Sequence, residues 1–278
     1  MSVTEFMRMF AFDPAKSYLV GVERECFLTE HGRISPIASK VLSHLNANSN
    51  GRSHCFGYEL SACQLEDRVE RPCELGELRS MLEMNEQDIQ RAERELGFGR
   101  IHCGIAPEDV PLDHYPDPRY DKIVAAMPKE VLRAACRVAG IHVHVGMPDH
   151  DTALRVYNQV VDHFPMLCRV GCIGFDGRLD QYQVVVESLG KKVLYSERVM
   201  LFMKHLVNGA HHPPSYKNWG DFHDRAVTEG FVNDPRRLWD FVRISKHGTI
   251  EFRMFDSTDN LRQIWFWAAL CLDLCRAY

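Results

Sequence analysis

Gly140-Ile141-His142-Val143-His144-Val145-Gly146 is the stretch whose reading decides the fold. Gly140 bounds it on one side, and Gly146 with Pro148 on the other, so it reads as a strand. Successive side chains of a strand point to opposite faces. His142 and His144 therefore share one face, and Ile141, Val143 and Val145 share the other. One face is apolar and the other carries two imidazoles.

Two further segments follow the same plan. Tyr18 to Leu28 sets Glu23 and Glu25 on one face, and Thr249 to Phe255 sets Glu251 and Arg253 on one face. Tyr58-Glu59-Leu60, running on to Gln64-Leu65-Glu66, supplies two more carboxylates. These segments are expected to share a sheet whose polar face carries divalent metal and ATP. Glu59 and Glu66 are an odd number of residues apart, so a straight strand would put them on opposite faces. Either a bulge or turn intervenes near Ala62 or Cys63, or Glu70 replaces Glu66.

The chain has 278 residues, 45% of them hydrophobic and 26% charged, as in an ordinary soluble globular protein. A single domain over residues 1–278 is expected. The net charge of -5 argues against a nucleic-acid partner, and nothing points to a membrane. The longest apolar run, Ile264 to Leu272, is about half of a membrane span. The 10 cysteines form no Cys-x-x-Cys pair and sit in apolar segments, which suits a reduced, cytoplasmic protein without zinc or disulfides.

Along the chain, residues before Lys16 read as an irregular lead-in. Helices are expected over Ala38 to Leu45, Glu74 to Leu96, Lys129 to Val138, Thr152 to Leu167 and Asp259 to Arg276. Shorter helical candidates are Asp221 to Thr228 and Pro235 to Phe241. Arg100 to Ala106 reads as a strand, Gly171 to Asp180 as a loop and Tyr182 to His205 as a mixed segment ending in a helix.

The chemistry follows from the donors. Glu23, Glu25, Glu59, Glu66 and Glu251 offer oxygen and His142 offers nitrogen, a set that suits Mg²⁺ or Mn²⁺. Phosphoryl transfer needs positioned metals and cations more than covalent help, and Arg253 lies two residues from Glu251. No Gly-x-x-x-x-Gly-Lys-Ser/Thr loop is present, which argues against a P-loop site. Each motif alone has a structural reading: a half-exposed strand, satisfied histidines or a cross-strand ion pair. Their coincidence on several apolar strands favours a site.

The same residues resemble a family. Gly21-Val22-Glu23-Arg24-Glu25, Glu59-Leu60-Ser61 to Gln64-Leu65-Glu66, Asp117-Pro118-Arg119-Tyr120, Gly140 to Gly146, and Gly248 to Arg253 are similar to the ordered motifs of glutamate–cysteine ligase type 2 proteins, the carboxylate–amine ligases. Trp239-Asp240 with Arg243 fits the same pattern, and the likeness runs from about Val20 to Arg276. Arg169 to Phe175 departs from it, standing where the family commonly has an Asn-Ser-Pro-Phe-like run.

The resemblance implies an α+β fold of glutamine synthetase type: a curved, mainly antiparallel sheet with helices on its outer face. It implies an ATP-dependent ligase using Mg²⁺ or Mn²⁺, with Glu25, Glu59 and Glu66 on one metal and Glu23, His142 and Glu251 on another. His144 would touch phosphate, and Arg253 would stabilise the moving γ-phosphoryl group. Arg119 and Arg243 are candidates for substrate carboxylate or phosphate, because guanidinium matches both. Expected partners are a small carboxylate and a small amine, with a homodimer as the oligomer suggested by relatives. A phosphotransferase of the same fold and a non-catalytic nucleotide-binding regulator remain open.

Overall fold

The double-histidine strand lies inside a sheet, between the two strands that carry the other motifs. The computed structural model describes residues 1–171 and 213–278, and the backbone of residues 185–186 and 191–192. Its strands are β1 (Val20–Glu30), β2 (Arg33–Ile34), β3 (Phe56–Tyr58), β4 (Gln64–Arg68), β5 (Gly99–Ile101), β6 (Gly140–Gly146), the hairpin β7 (Val185–Val186) and β8 (Lys191–Lys192), β9 (Val242–Ser245) and β10 (Thr249–Asp256). The main sheet runs β3-β4-β1-β6-β10-β9, with β2 and β5 pairing further along the long β1. All its pairings are antiparallel. The architecture is α+β.

Register turns the motifs into rows. Arg68, Glu23 and His142 lie side by side across β4, β1 and β6. Gly21, His144, Glu251 and Arg243 form the next row across β1, β6, β10 and β9. Gly57, Glu66 and Glu25 form a third across β3, β4 and β1. The register of β10 shifts between Phe252 and Phe255, so a bulge holds Arg253. Bulges commonly re-aim a side chain beside a functional site.

The other face is the core. Val20, Val22, Ile141, Val143, Val145, Ile250 and Phe252 are buried there with residues of the helices Leu75–Leu96, His150–Val161 and Leu261–Arg276. Fully burying one such side chain contributes about 1.5–3 kcal/mol, so the alternation that gathers the acids on one face also anchors the sheet through the other.

Helix boundaries follow local chemistry. The helix Leu75–Leu96 buries Leu78, Leu82, Ile89 and Ala92 and ends where Gly97 takes φ 73°. Such a left-handed stop suits glycine. The single helix expected over Thr152 to Leu167 is two, His150–Val161 and Phe164–Val170. Pro165 opens the second, because its ring and missing N–H cannot continue the first. The expected strand Arg100 to Ala106 shortens to β5, and the expected helix Pro235 to Phe241 to a 3₁₀ turn, Pro235–Arg237. The lead-in is more ordered than expected: Ser2 and Glu5 form a capping box for the helix Val3–Met7. Most of Gly171 to Asp180 and of Tyr182 to His205 lies outside the described residues.

Candidate functional site

Three carboxylates meet at one end of the rows. Glu25, Glu59 and Glu66 each bring an oxygen within 4.8 Å of the other two. The chain reverses at Ala62–Cys63 between β3 and β4, and that hairpin turn delivers Glu59 to Glu66 despite their odd spacing. Glu70 lies away from this cluster, on the wall of the cavity that Glu23, Arg68 and His144 also line. Burial raises the pKa of Glu59 to about 7, helped by the charge of Glu25. Burial also holds Glu66 well above the usual carboxylate range, with Glu23 and Glu59 adding to the shift. Such a cluster is under electrostatic strain until a cation enters or a proton stays. Three oxygen donors so close together fit a hard divalent cation, Mg²⁺ or Mn²⁺.

Glu23 sits beside both imidazoles. His142 Nδ1 is 3.3 Å from Glu23 Oε2, His142 Nε2 is 3.4 Å from Glu25 Oε1, and His144 Nε2 is 3.7 Å from Glu23 Oε2. Burial disfavours the charged form of Glu23, but His144 and His142 outweigh it and pull its pKa well below the ordinary value. Burial lowers the pKa of His142. Burial also opposes charge on His144, but Glu251 and Glu23 raise its pKa overall. His144 Nδ1 is 2.8 Å from the Thr249 hydroxyl, and its buried Nε2 makes no hydrogen bond.

Glu251 is held differently. Arg243 donates to it from Nε and Nη2, at 2.8 and 3.0 Å, and Arg253 donates from Nη1 at 2.5 Å. Glu251 thus bridges two guanidiniums and faces His144 across the register, rather than joining Glu23 and His142 in one tight ligand group. Arg243 also donates to the Leu238 carbonyl at 2.6 Å, so it is built into the wall instead of reaching outward for a substrate. Asp240, singled out with it, pairs with Arg225 at 2.6 Å.

Among the described residues, two cavities adjoin the rows. The first, about 320 Å³, is lined by Gly21, Glu23, Arg68, His144, His247 and Thr249, with Lys16 and Arg71 nearby on its wall. The second, about 350 Å³, includes Gly57, Tyr58, Arg68, Tyr115, Arg119 and Tyr120. Asp117 caps the helix Pro118–Ala126 and accepts from the Tyr58 hydroxyl at 2.7 Å. That bond sets Tyr58 flat on Tyr115, with ring centroids 3.8 Å apart. Arg119 lies over the Tyr120 ring at 5.5 Å. Arg68 lines both cavities and escaped the sequence reading. The i, i+2 rule that paired Glu23 with Glu25 also pairs Arg68 with Glu66. Lys16 and His247 come from turns, where no periodicity marks them.

The family description "Glutamate-cysteine ligase family 2" matches residues 19–277. The chain belongs to that family. Among members, a Natronomonas pharaonis protein named glutamate–cysteine ligase is 28% identical over 290 residues, covering 96% of this chain and 72% of its own length. A Gloeobacter violaceus protein, provisionally named glutamate–cysteine ligase 2, is 31% identical over 280 residues, covering 95% of this chain and 64% of its own. A longer Rhodococcus jostii relative, provisionally named glutamate–cysteine ligase 2-3, is 29% identical over 271 residues, covering 94% of this chain and 31% of its own length. The fold also matches a bifunctional glutathione synthetase structure from Pasteurella multocida. That match has a TM-score of 0.58 and 15% identity, covering 92% of this chain and 38% of the other.

Proposed function

We propose that this chain carries the site of an ATP-dependent carboxylate–amine ligase. The observation that carries the reading is the row arrangement: carboxylates, imidazoles and guanidiniums from five strands converge between two cavities. Glu25, Glu59 and Glu66 would hold one divalent cation, with Glu23, His142 and Glu251 lining the way to a second. When bound, such ions polarise phosphate oxygens and spread the charge that develops on them.

The protein's own groups divide the remaining work. The first cavity takes the nucleotide: Lys16 and Arg68 face its anionic part, and His144 Nε2, which lies beside Glu23 without a hydrogen bond, offers one to a phosphate oxygen. The second takes the carboxylate substrate, oriented by Arg119 between tyrosine rings. A carboxylate oxygen attacks the γ-phosphorus of ATP, the bond to the β-γ bridging oxygen breaks, and ADP leaves. The amine then attacks the acyl carbon, phosphate leaves with the C–O electron pair, and the amine proton passes to solvent or a base. Arg253 stabilises charge on the transferring phosphoryl group, held in position by Glu251.

Glutamate and cysteine head the substrate panel because family members are named for them. The test is ADP release and amide formation by purified protein with Mg²⁺, ATP and paired carboxylates and amines. ADP appearing only when carboxylate and amine are both present supports the ligase. Metal-dependent ATP binding with no turnover across the panel refutes it.

A further inference from the structure

We propose that Arg68 is an exchangeable counter-ion, which rests on Glu66 and offsets the charge of the Glu25, Glu59 and Glu66 cluster in the cation-free protein, and is released toward an incoming oxyanion when a divalent cation takes its place. The proposal rests on reading Glu25, Glu59 and Glu66 as a cation site, and goes beyond it in coupling that site to anion binding through one side chain.

The asymmetry of the ion pair points this way. Arg68 Nη2 lies 2.7 Å from Glu66 Oε1, and the Glu66 side chain is 10% exposed where that of Arg68 is 42% exposed. The carboxylate is fixed and the guanidinium has room. Arg68 Nε is buried without a hydrogen bond, so the fork is not engaged along its full edge. Arg24, one strand over, shows the contrast: its Nε and Nη2 both bind Asp67, and its side chain is 1% exposed. A fork held on two atoms is a fixture, whereas one held at a single tip can leave.

Geometry supplies the destination. Arg68 is level with Glu23 and lines both cavities. Gly57 stands opposite Glu66, and a side chain there would collide with the Arg68 guanidinium. The guanidinium thus occupies space beside the carboxylates that the lack of a side chain at Gly57 leaves open. A doubly charged ion among Glu25, Glu59 and Glu66 competes with the single charge of Arg68 for Glu66 and repels it. The displaced guanidinium then faces cavity space where a phosphate or carboxylate can receive it.

A structural brace and a competing counter-ion predict opposite signs. Mn²⁺ binding, read from the free-ion electron paramagnetic resonance signal, compares wild type with Arg68→Gln and Arg68→Lys. Arg68→Gln is expected to bind Mn²⁺ about threefold or more tightly than wild type, and Arg68→Lys to stay near wild type. With Mn²⁺ saturating, inorganic phosphate and glutarate are then measured separately by calorimetry. Arg68→Gln is expected to weaken one of them about tenfold. Weakened phosphate points the released arginine at the first cavity, and weakened glutarate at the second. Unchanged or looser Mn²⁺ binding in Arg68→Gln overturns the exchange. Tighter Mn²⁺ with neither anion affected overturns the coupling. Wild type that binds no Mn²⁺ defeats the cation site itself, a failure distinct from the other two. Circular dichroism and urea midpoints confirm that the variants are folded.

Discussion

Arg24 grips Asp67 on the face of the sheet directly behind the carboxylate cluster. Nε donates to Oδ1 at 3.0 Å and Nη2 to Oδ2 at 3.0 Å, and the two residues are register partners across β1 and β4. The next register pair is Glu25 and Glu66. Like charges placed opposite each other push strands apart. The buried ion pair holds the same two strands together from behind, with Asn85 adding a 2.8 Å bond to Asp67.

Breaking that pair from one side leaves a buried, uncompensated charge. Arg24→Met or Asp67→Leu alone is expected to cost about 3–5 kcal/mol of unfolding free energy in urea. The double variant is expected to lose clearly less than the sum, since neither charge is then stranded. Additive losses would mean that the two side chains act independently.

Acid and base act on the site in opposite directions. In the folded protein Glu59 titrates at about 7, against 4.5 when unperturbed, and Glu66 is raised too. Between these values the two carboxyls hold more protons in the folded state than in the unfolded chain, so their contribution to metal-free stability falls as pH rises through that window, while the depressed imidazoles of His102, His142 and His247 contribute in the opposite sense below 6.5. One such proton is worth at most about 1.4 kcal/mol per pH unit. Glu23 and Glu251 are depressed, so their contribution is present above the ordinary carboxylate value and is lost as pH falls below it. Measured against Glu59→Gln, which cancels the histidine contributions, the wild-type urea midpoint in EDTA is expected to decline from pH 5 to 7.5. Saturating Mn²⁺ should flatten that decline. A difference between the two proteins that does not change with pH would contradict the placement of Glu59 among acids.

Much of this arrangement was legible because strand alternation has a period of two. His142 with His144, Glu23 with Glu25, and an apolar reverse face follow from that period alone, and the sheet brings the three strands together as expected. What alternation does not encode is partner choice across strands. Nothing in Glu-x-Arg says that Glu251 will also hold Arg243, because that contact depends on β9 pairing with β10 in one register. Nor does it encode turns. The reversal at Ala62–Cys63 and the break at Pro165 depend on local backbone chemistry, which a periodic reading passes over.

The two arginines on Glu251 should separate stability from turnover. Arg243 is tied to Glu251 and to the Leu238 carbonyl, so Arg243→Ala removes wall as well as charge. It is expected to lower the urea midpoint more than Arg253→Ala does. Arg253 sits in the β10 bulge and is aimed along the row by Glu251. Arg253→Ala is expected to stay folded and lose about 10²–10³ in the rate of ADP release. Near-normal turnover in Arg253→Ala would remove it from the phosphoryl-transfer step.

The two histidines face the same way yet should fail differently when removed. His142 bridges Glu23 and Glu25 through its two ring nitrogens, at 3.3 and 3.4 Å, and is buried between them. His142→Ala deletes a potential nitrogen ligand and lets the two carboxylates meet without the ring between them. Mn²⁺ affinity by calorimetry is expected to fall about tenfold, in line with losses at groups that ligate or orient ligands. His144 is one pleat further along on the wall of the first cavity, bonded to Thr249 on one nitrogen, while the other is buried beside Glu23 without a hydrogen bond. His144→Ala is expected to leave Mn²⁺ affinity within about twofold and to weaken an ATP analogue in the presence of Mn²⁺, because the lost donor faces the anion rather than the cation. Equal effects of both substitutions on both ligands would show that the imidazoles serve only to hold the strands in place.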